Sequence, residues 1–90
     1  MILNSKKIAA LKSKAVHLKT TVQIGNNGIT EPVIASIEEA LNANQLVKIS
    51  YNSPIKKDRI EASKILIEKT DSSLVQILGK IIVLYRESDK

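Results

Sequence analysis

The spacing of apolar residues changes period several times along the chain, and each change marks an element. Asn4 or Ser5 can cap a first helix that runs to about His17, with Ile8, Leu11, Ala15 and Leu18 on one stripe. "TTVQI", residues 20–24, switches to β-branched alternation and reads as a strand. Thr30 caps a second helix that tolerates Pro32 in its first turn. Val33, Ile34, Ile37, Ala40 and Leu41 form its stripe, and "NAN", residues 42–44, ends it. "QLVKISY", residues 45–51, is a second strand, with Leu46 or Val47, Ile49 and Tyr51 available to a core. After the "NSP" turn, Asp58 followed by Glu61 fits an N-cap with an acid three residues on. The third helix then carries Ile60, Ala62, Ile65, Leu66 and Ile67 to about Thr70.

The last stretch, "SLVQILGKIIVLYR", reads as strands 73–78 and 81–86 joined at Gly79-Lys80. A two-residue link with glycine first suits a type II′ hairpin. Both runs are nearly continuous in apolar residues, which predicts central or covered strands. The order α-β-α-β-α-β-β predicts an α/β fold with parallel strand–helix–strand crossovers, a mixed four-stranded sheet and helices packed on it. The 90 residues are expected to form a single domain, 1–90.

Charge changes the picture. The formal net charge is +5. Residues 1–30 hold Lys6, Lys7, Lys12, Lys14 and Lys19 and no acid, so the whole excess lies in the N-terminal third. A one-sided basic field is the usual footprint of a polyanion binder. The helix-one lysines are otherwise a solvated face, which is where most lysines sit.

That basic third runs into "QIGNNGITEPV", residues 23–33. Gly25 and Gly28 bracket Asn26 and Asn27 just before the helix at Thr30. One reading is a plain turn between strand and helix. The other is a phosphate site. Glycines there remove the Cβ atoms that would hold a phosphate off the backbone N–H groups, and the helix N-terminus adds donors and the positive end of its dipole. A GxxG loop clamps nucleic-acid backbone in KH domains by this logic.

Other chemistry is sparse. Cysteine is absent, which excludes disulfides and thiolate metal sites. His17 is the single histidine, and no Ser, Asp or Glu pattern near it supplies catalytic partners. Glu38-Glu39 and Asp58-Glu61 lack metal-loop spacing. "ILGK" lacks the earlier glycine of a P-loop. With two aromatics, Tyr51 and Tyr85, a base-stacking sheet is not expected, and RNA would be gripped by backbone and shape. No segment reads as a signal peptide or a bilayer span, which predicts a cytoplasmic protein with no membrane partner.

Taken together, "HLKTTVQIGNNGIT", "IEEAL", "LVKI" and "LVQILGKIIVLYR" resemble the CRM domain, and within it the small stand-alone YhbY-like bacterial proteins. The likeness runs from about Leu3 to Arg86. It implies a fold similar to the C-terminal domain of bacterial translation initiation factor three: a two-layer α/β sandwich, here with an added N-terminal helix. It also implies an RNA-binding module linked, in bacteria, to precursors of the large ribosomal subunit; plant relatives with several copies help group II introns splice. By position, Gly25, Asn26, Asn27 and Gly28 match the family's GxxG, and Lys80 and Arg86 at the hairpin match its further basic features. Asn26 stands where the family often has lysine, which removes one phosphate charge and shifts weight to the first helix.

The expectation is therefore a monomeric, non-enzymatic RNA-binding protein of large-subunit assembly, with no cofactor, metal or small-molecule substrate. Its RNA contacts would be Gly25, Asn26, Asn27, Gly28, Thr30, Lys6, Lys7, Lys12, Lys14, Lys19, Lys80 and Arg86. The alternative is a protein-interaction module docking on a ribosomal protein or assembly factor through the apolar "ILGKIIVLY".

Overall fold

A computed structural model describes residues 5–25, 28–52 and 55–87. The elements follow the predicted order: α1 (Ser5–Val16), β1 (Val22–Ile24), α2 (Glu31–Asn44), β2 (Leu46–Tyr51), α3 (Lys56–Thr70), β3 (Ser73–Leu78) and β4 (Ile81–Tyr85). The four strands form one sheet in the order β1-β2-β4-β3. β1 and β2 are parallel, with Val22 opposite Ile49, and β4 runs antiparallel to both β2 and β3. β4 is thus interior, and β1 and β3 are the edges.

The sheet has a covered layer on each side. On one, α2 and α3 bury Ile37, Leu41 and Leu66 against Ile24, Val47, Ile49, Ile82 and Leu84. On the other, α1 sets Leu11 and Ala15 against Leu46, Val75, Val83 and Tyr85. Successive strand residues point to opposite faces. Burying both faces therefore turns β4 into the unbroken apolar run IIVLY, and it makes Leu46 and Val47 both core residues rather than alternatives. α1 lies on the face opposite α2 and α3, so the added N-terminal helix closes a third layer over part of the sheet. It is tied there by Lys48, whose Nζ donates to Ala15 O at 3.3 Å and Leu18 O at 3.4 Å, two carbonyls where α1 ends.

Local chemistry explains the element ends. Leu78 pairs with Ile81 across the two-residue link; Gly79 has φ +58 and Lys80 does not enter the positive-φ region, which fits type II′. α2 ends with Gln45 in the left-handed conformation, one residue past the "NAN" run, its N–H bonded to Leu41 O. One expectation is corrected. α3 begins at Lys56 with Ile55 as the capping residue and no side-chain cap bond, so Asp58 lies inside the first turn. There its carboxylate suits the positive end of the helix dipole without being the N-cap. Asn4 and most of the "NSP" turn lie outside the described residues.

Candidate nucleic-acid interface

β1 and β2 are parallel, and a helix follows each, so the N-termini of α2 and α3 both emerge at the carboxyl end of the sheet. β3 is antiparallel to β4, as β2 is, and therefore also ends there. Open α/β sheets bind ligands at this end, where loops converge and helix dipoles present positive charge. Three features meet at it: the Gly25–Gly28 loop, the Gly79-Lys80 turn and the start of α3 with Lys57. The Tyr51 N–H donates to Lys80 O at 2.8 Å, and Lys80 Nζ donates to Asn52 Oδ1 at 3.0 Å, which fixes the hairpin turn beside the end of β2. Lys57 is a basic residue that sequence reasoning missed. Its signal was its place just after the β2 turn, hidden in a segment whose charges cancel overall.

The loop is anchored at both ends. Ile24 is buried, and Ile29 packs on the same core. The Gly28 N–H donates to Gly25 O at 3.0 Å, closing a turn. The two glycines differ in conformation. Gly28 has φ +70, a region L-residues rarely adopt. Gly25 does not have a left-handed φ, and a Cβ placed on it meets nothing within 4 Å. Among the described residues, neither backbone conformation nor crowding requires glycine at 25. Asn26 and Asn27 lie outside the described residues. Thr30 is the capping residue of α2, yet its hydroxyl makes no cap bond. The first-turn N–H groups there are thus not closed by it. Glu31, in the same turn, is an opposing negative charge.

Charge divides by helix layer. α1 carries Lys6, Lys7, Lys12 and Lys14 and no acid, and Lys48 is the single charged residue of the four strands. The acids of the described residues lie on α2, on α3 and in the segments leaving α3 and β4. α2 has three acids and no base, and α3 mixes both signs. α1 is therefore purely basic, whereas the layer of α2 and α3 carries both signs. Lys6, Lys7, Lys12, Lys14 and Lys19 are all exposed.

The structure does not bring every expected residue into one patch. At 3.6 residues per turn, Lys12 lies about 150° around α1 from Lys7 and Lys14. Lys7 and Lys14 flank the Tyr85 end: Lys7 Nζ sits 5.1 Å from the Tyr85 ring centroid, and Lys14 borders a recess shared with Gln45 and Tyr85. Lys12 faces away from that end. Lys80 and Arg86 are also parted, because β4 runs between them, about 20 Å at ~3.3 Å per residue.

Arg86 has an intramolecular task. Its guanidinium donates to Glu38 Oε2 at 2.8 Å, to Thr70 O at 2.7 Å and to Asn42 Oδ1 at 2.8 Å. Thr70 is the last residue of α3, so Arg86 neutralises the negative end of that helix and ties it to α2. Arg86, expected among the RNA contacts, thus has guanidinium N–H groups committed to partners within the chain. The apolar hairpin is likewise not an open surface. Ile82, Val83 and Leu84 are fully buried, and Leu78, on edge strand β3, is the one exposed large residue of the two strands. Neither tyrosine forms a stacking platform: Tyr85 is 4% exposed and Tyr51 packs partly into the core.

Among the described residues no helix is long and apolar enough to cross a membrane, and no group of three or more His, Asp or Glu is placed to hold a metal.

Comparison with known proteins adds an independent line. The profile of the CRS1/YhbY (CRM) domain matches residues 3–86. The chain is 38% identical over 87 residues to the Bacillus subtilis protein named "Probable RNA-binding protein YqeI", covering 97% of this chain and 91% of that one. It is 36% identical over 88 residues to a Haemophilus influenzae protein named "RNA-binding protein", covering 98% and 89%. A Staphylococcus aureus protein solved in solution and put forward as RNA-binding superposes with a TM-score of 0.86 at 36% identity, covering 99% of this chain and 93% of that one.

Proposed function

Because the chain belongs to the CRS1/YhbY (CRM) domain family, we propose that it is a non-enzymatic RNA-binding protein that acts on precursors of the large ribosomal subunit. The observation that carries the reading is the division of charge: exposed lysines on a helix with no acid, on the opposite side of the sheet from a helix layer of mixed charge. A polyanion is attracted to the first and not the second.

Two elements make the grip. Lysines of α1, with Lys19 just beyond it, supply sequence-independent attraction to phosphates. The Gly25–Gly28 loop, with no Cβ at either glycine, lets a phosphate come close to its backbone and to the start of α2, and Lys80 at the same end of the sheet supplies a counter-charge. Thr30 adds an uncommitted hydroxyl at the same helix start. The assembly role rests on the family resemblance, in which single-domain bacterial members are linked to large-subunit precursors. In this mechanism the protein holds an rRNA junction by its backbone until later assembly steps displace it.

The test is sedimentation of a cell lysate on a gradient, with a Gly25→Asp/Lys12→Gln/Lys19→Gln variant alongside. The protein should travel with large-subunit particles or their precursors, and the variant should stay at the top. If the wild type also runs free of particles, the ribosomal reading falls. If the folded variant co-sediments equally, the loop and these lysines are not the interface.

A further inference from the structure

Between α1 and the end of α2 lies a recess of about 350 Å³, separate from the glycine loop and at the other end of the sheet. Its apolar lining is Leu11, Leu18, Leu46 and Tyr85, and of these Leu18 is the most exposed. Two side-chain amides, Asn44 and Gln45, border it where α2 gives way to β2. Lys14 on α1 and His17 just past its end also border it. From this arrangement we infer that the recess receives one unpaired nucleobase of a bound RNA strand and so supplies base preference to a protein that otherwise grips backbone.

This inference rests on the RNA-binding reading proposed above and deepens it. The volume is at the lower end of ligand pockets, which suits one ring system rather than a large ligand. Apolar lining and amide rim are the two things a splayed base needs: a surface for its faces, and groups that both donate and accept toward its Watson–Crick or Hoogsteen edge. Lys14 on the border of the recess is a cation for the phosphates of the same strand, and Lys7 Nζ sits over the Tyr85 ring. α1, whose Lys14 borders the recess, carries lysines and no acid, so an RNA strand held by this helix lies beside it.

The local backbone holds the amides in place. Gln45 is fixed in the left-handed conformation by its N–H bond to Leu41 O, and its carbonyl accepts from the Arg86 N–H at 2.9 Å. Arg86 in turn is locked by Glu38 and Thr70. The amide rim is therefore carried on a backbone tied to both helices. Its φ of +64 also makes Gln45→Gly a mild change, since glycine favours that region.

The experiment measures fluorescence anisotropy with twelve-nucleotide homopolymers of A, U and C, for the wild type and for Asn44→Ala/Gln45→Gly. The wild type should separate the strongest from the weakest homopolymer by roughly tenfold, the range of a single base contact. The variant should bind all three like the weakest, with an unchanged salt slope, because no phosphate contact has been removed. Equal affinity of the wild type for all three, or preference retained in the variant, overturns the recess as a base site while leaving RNA binding intact. A wild type that binds none of the strands overturns both readings together.

Discussion

Arg86 and Glu38 are 48 positions apart in sequence, and their side chains meet at 2.8 Å. The same guanidinium also takes the last carbonyl of α3 and the Asn42 amide. One side chain at the end of β4 thus joins both helices of one layer at their negative poles. The pair is partly exposed, at 21% and 38% for the two side chains, so the ion pair alone contributes little. The charged bond to Thr70 O and the planar fork that serves several acceptors at once contribute more.

Arg86→Ala should therefore destabilise the fold by roughly 1–3 kcal/mol, the cost of removing charge-assisted bonds. In a chain of this size each kcal/mol lowers Tm by about 4–8 °C. Arg86→Lys should recover only part, since an ammonium cannot span the same acceptors. Thermal melts measure this. RNA affinity of the folded Arg86→Ala protein should stay near wild type, and a large drop there would return Arg86 to the RNA interface.

The loop glycines should separate stability from binding. Gly28→Ala forces a Cβ into φ +70 and should cost about 1–2 kcal/mol in urea melts. Gly25→Ala should leave the melt within roughly 0.5 kcal/mol, because nothing within 4 Å meets the new methyl. The same Gly25→Ala should weaken RNA binding, as the methyl stands between phosphate and backbone. An unchanged affinity would reduce the loop to a turn.

Lys48 is the strand residue that secures α1. Replacing it with Met keeps an apolar stem but removes the donor to Ala15 O and Leu18 O. The expected loss is about 1 kcal/mol, confined mainly to α1. Amide exchange should quicken across Leu11–Val16 while β2 and β4 keep their protection. Uniform acceleration everywhere would mean that α1 does not open separately.

RNA affinity should depend steeply on salt. If about five phosphates are neutralised, log K falls with log salt at a slope near −3.5 for single strands. Lys12→Gln with Lys19→Gln should flatten that slope by about 1.4, at ~0.7 per phosphate. A slope near zero for the wild type would favour docking on protein over RNA.

Sequence alone determined the element order, the hairpin link, the acid-free N-terminal third and the family resemblance. These are local signals: apolar period, turn chemistry and the sign of charge in a continuous segment. The start of α3 was misread because an acid near a helix start satisfies the dipole equally well from the first turn as from the cap. Leu46 against Val47 could not be decided from one strand, since period 2 tells which residues share a face but not that both faces are covered. Only the tertiary structure placed α1 on the far side of the sheet from α2 and α3, which buries both residues and sorts basic charge from mixed charge. It also put Lys80 at the same end of the sheet as the glycine loop and Arg86 at the other end of the same strand. Residues six apart lie on opposite ends of a sheet when the chain between them is extended, and no count of charge along the sequence carries that distance.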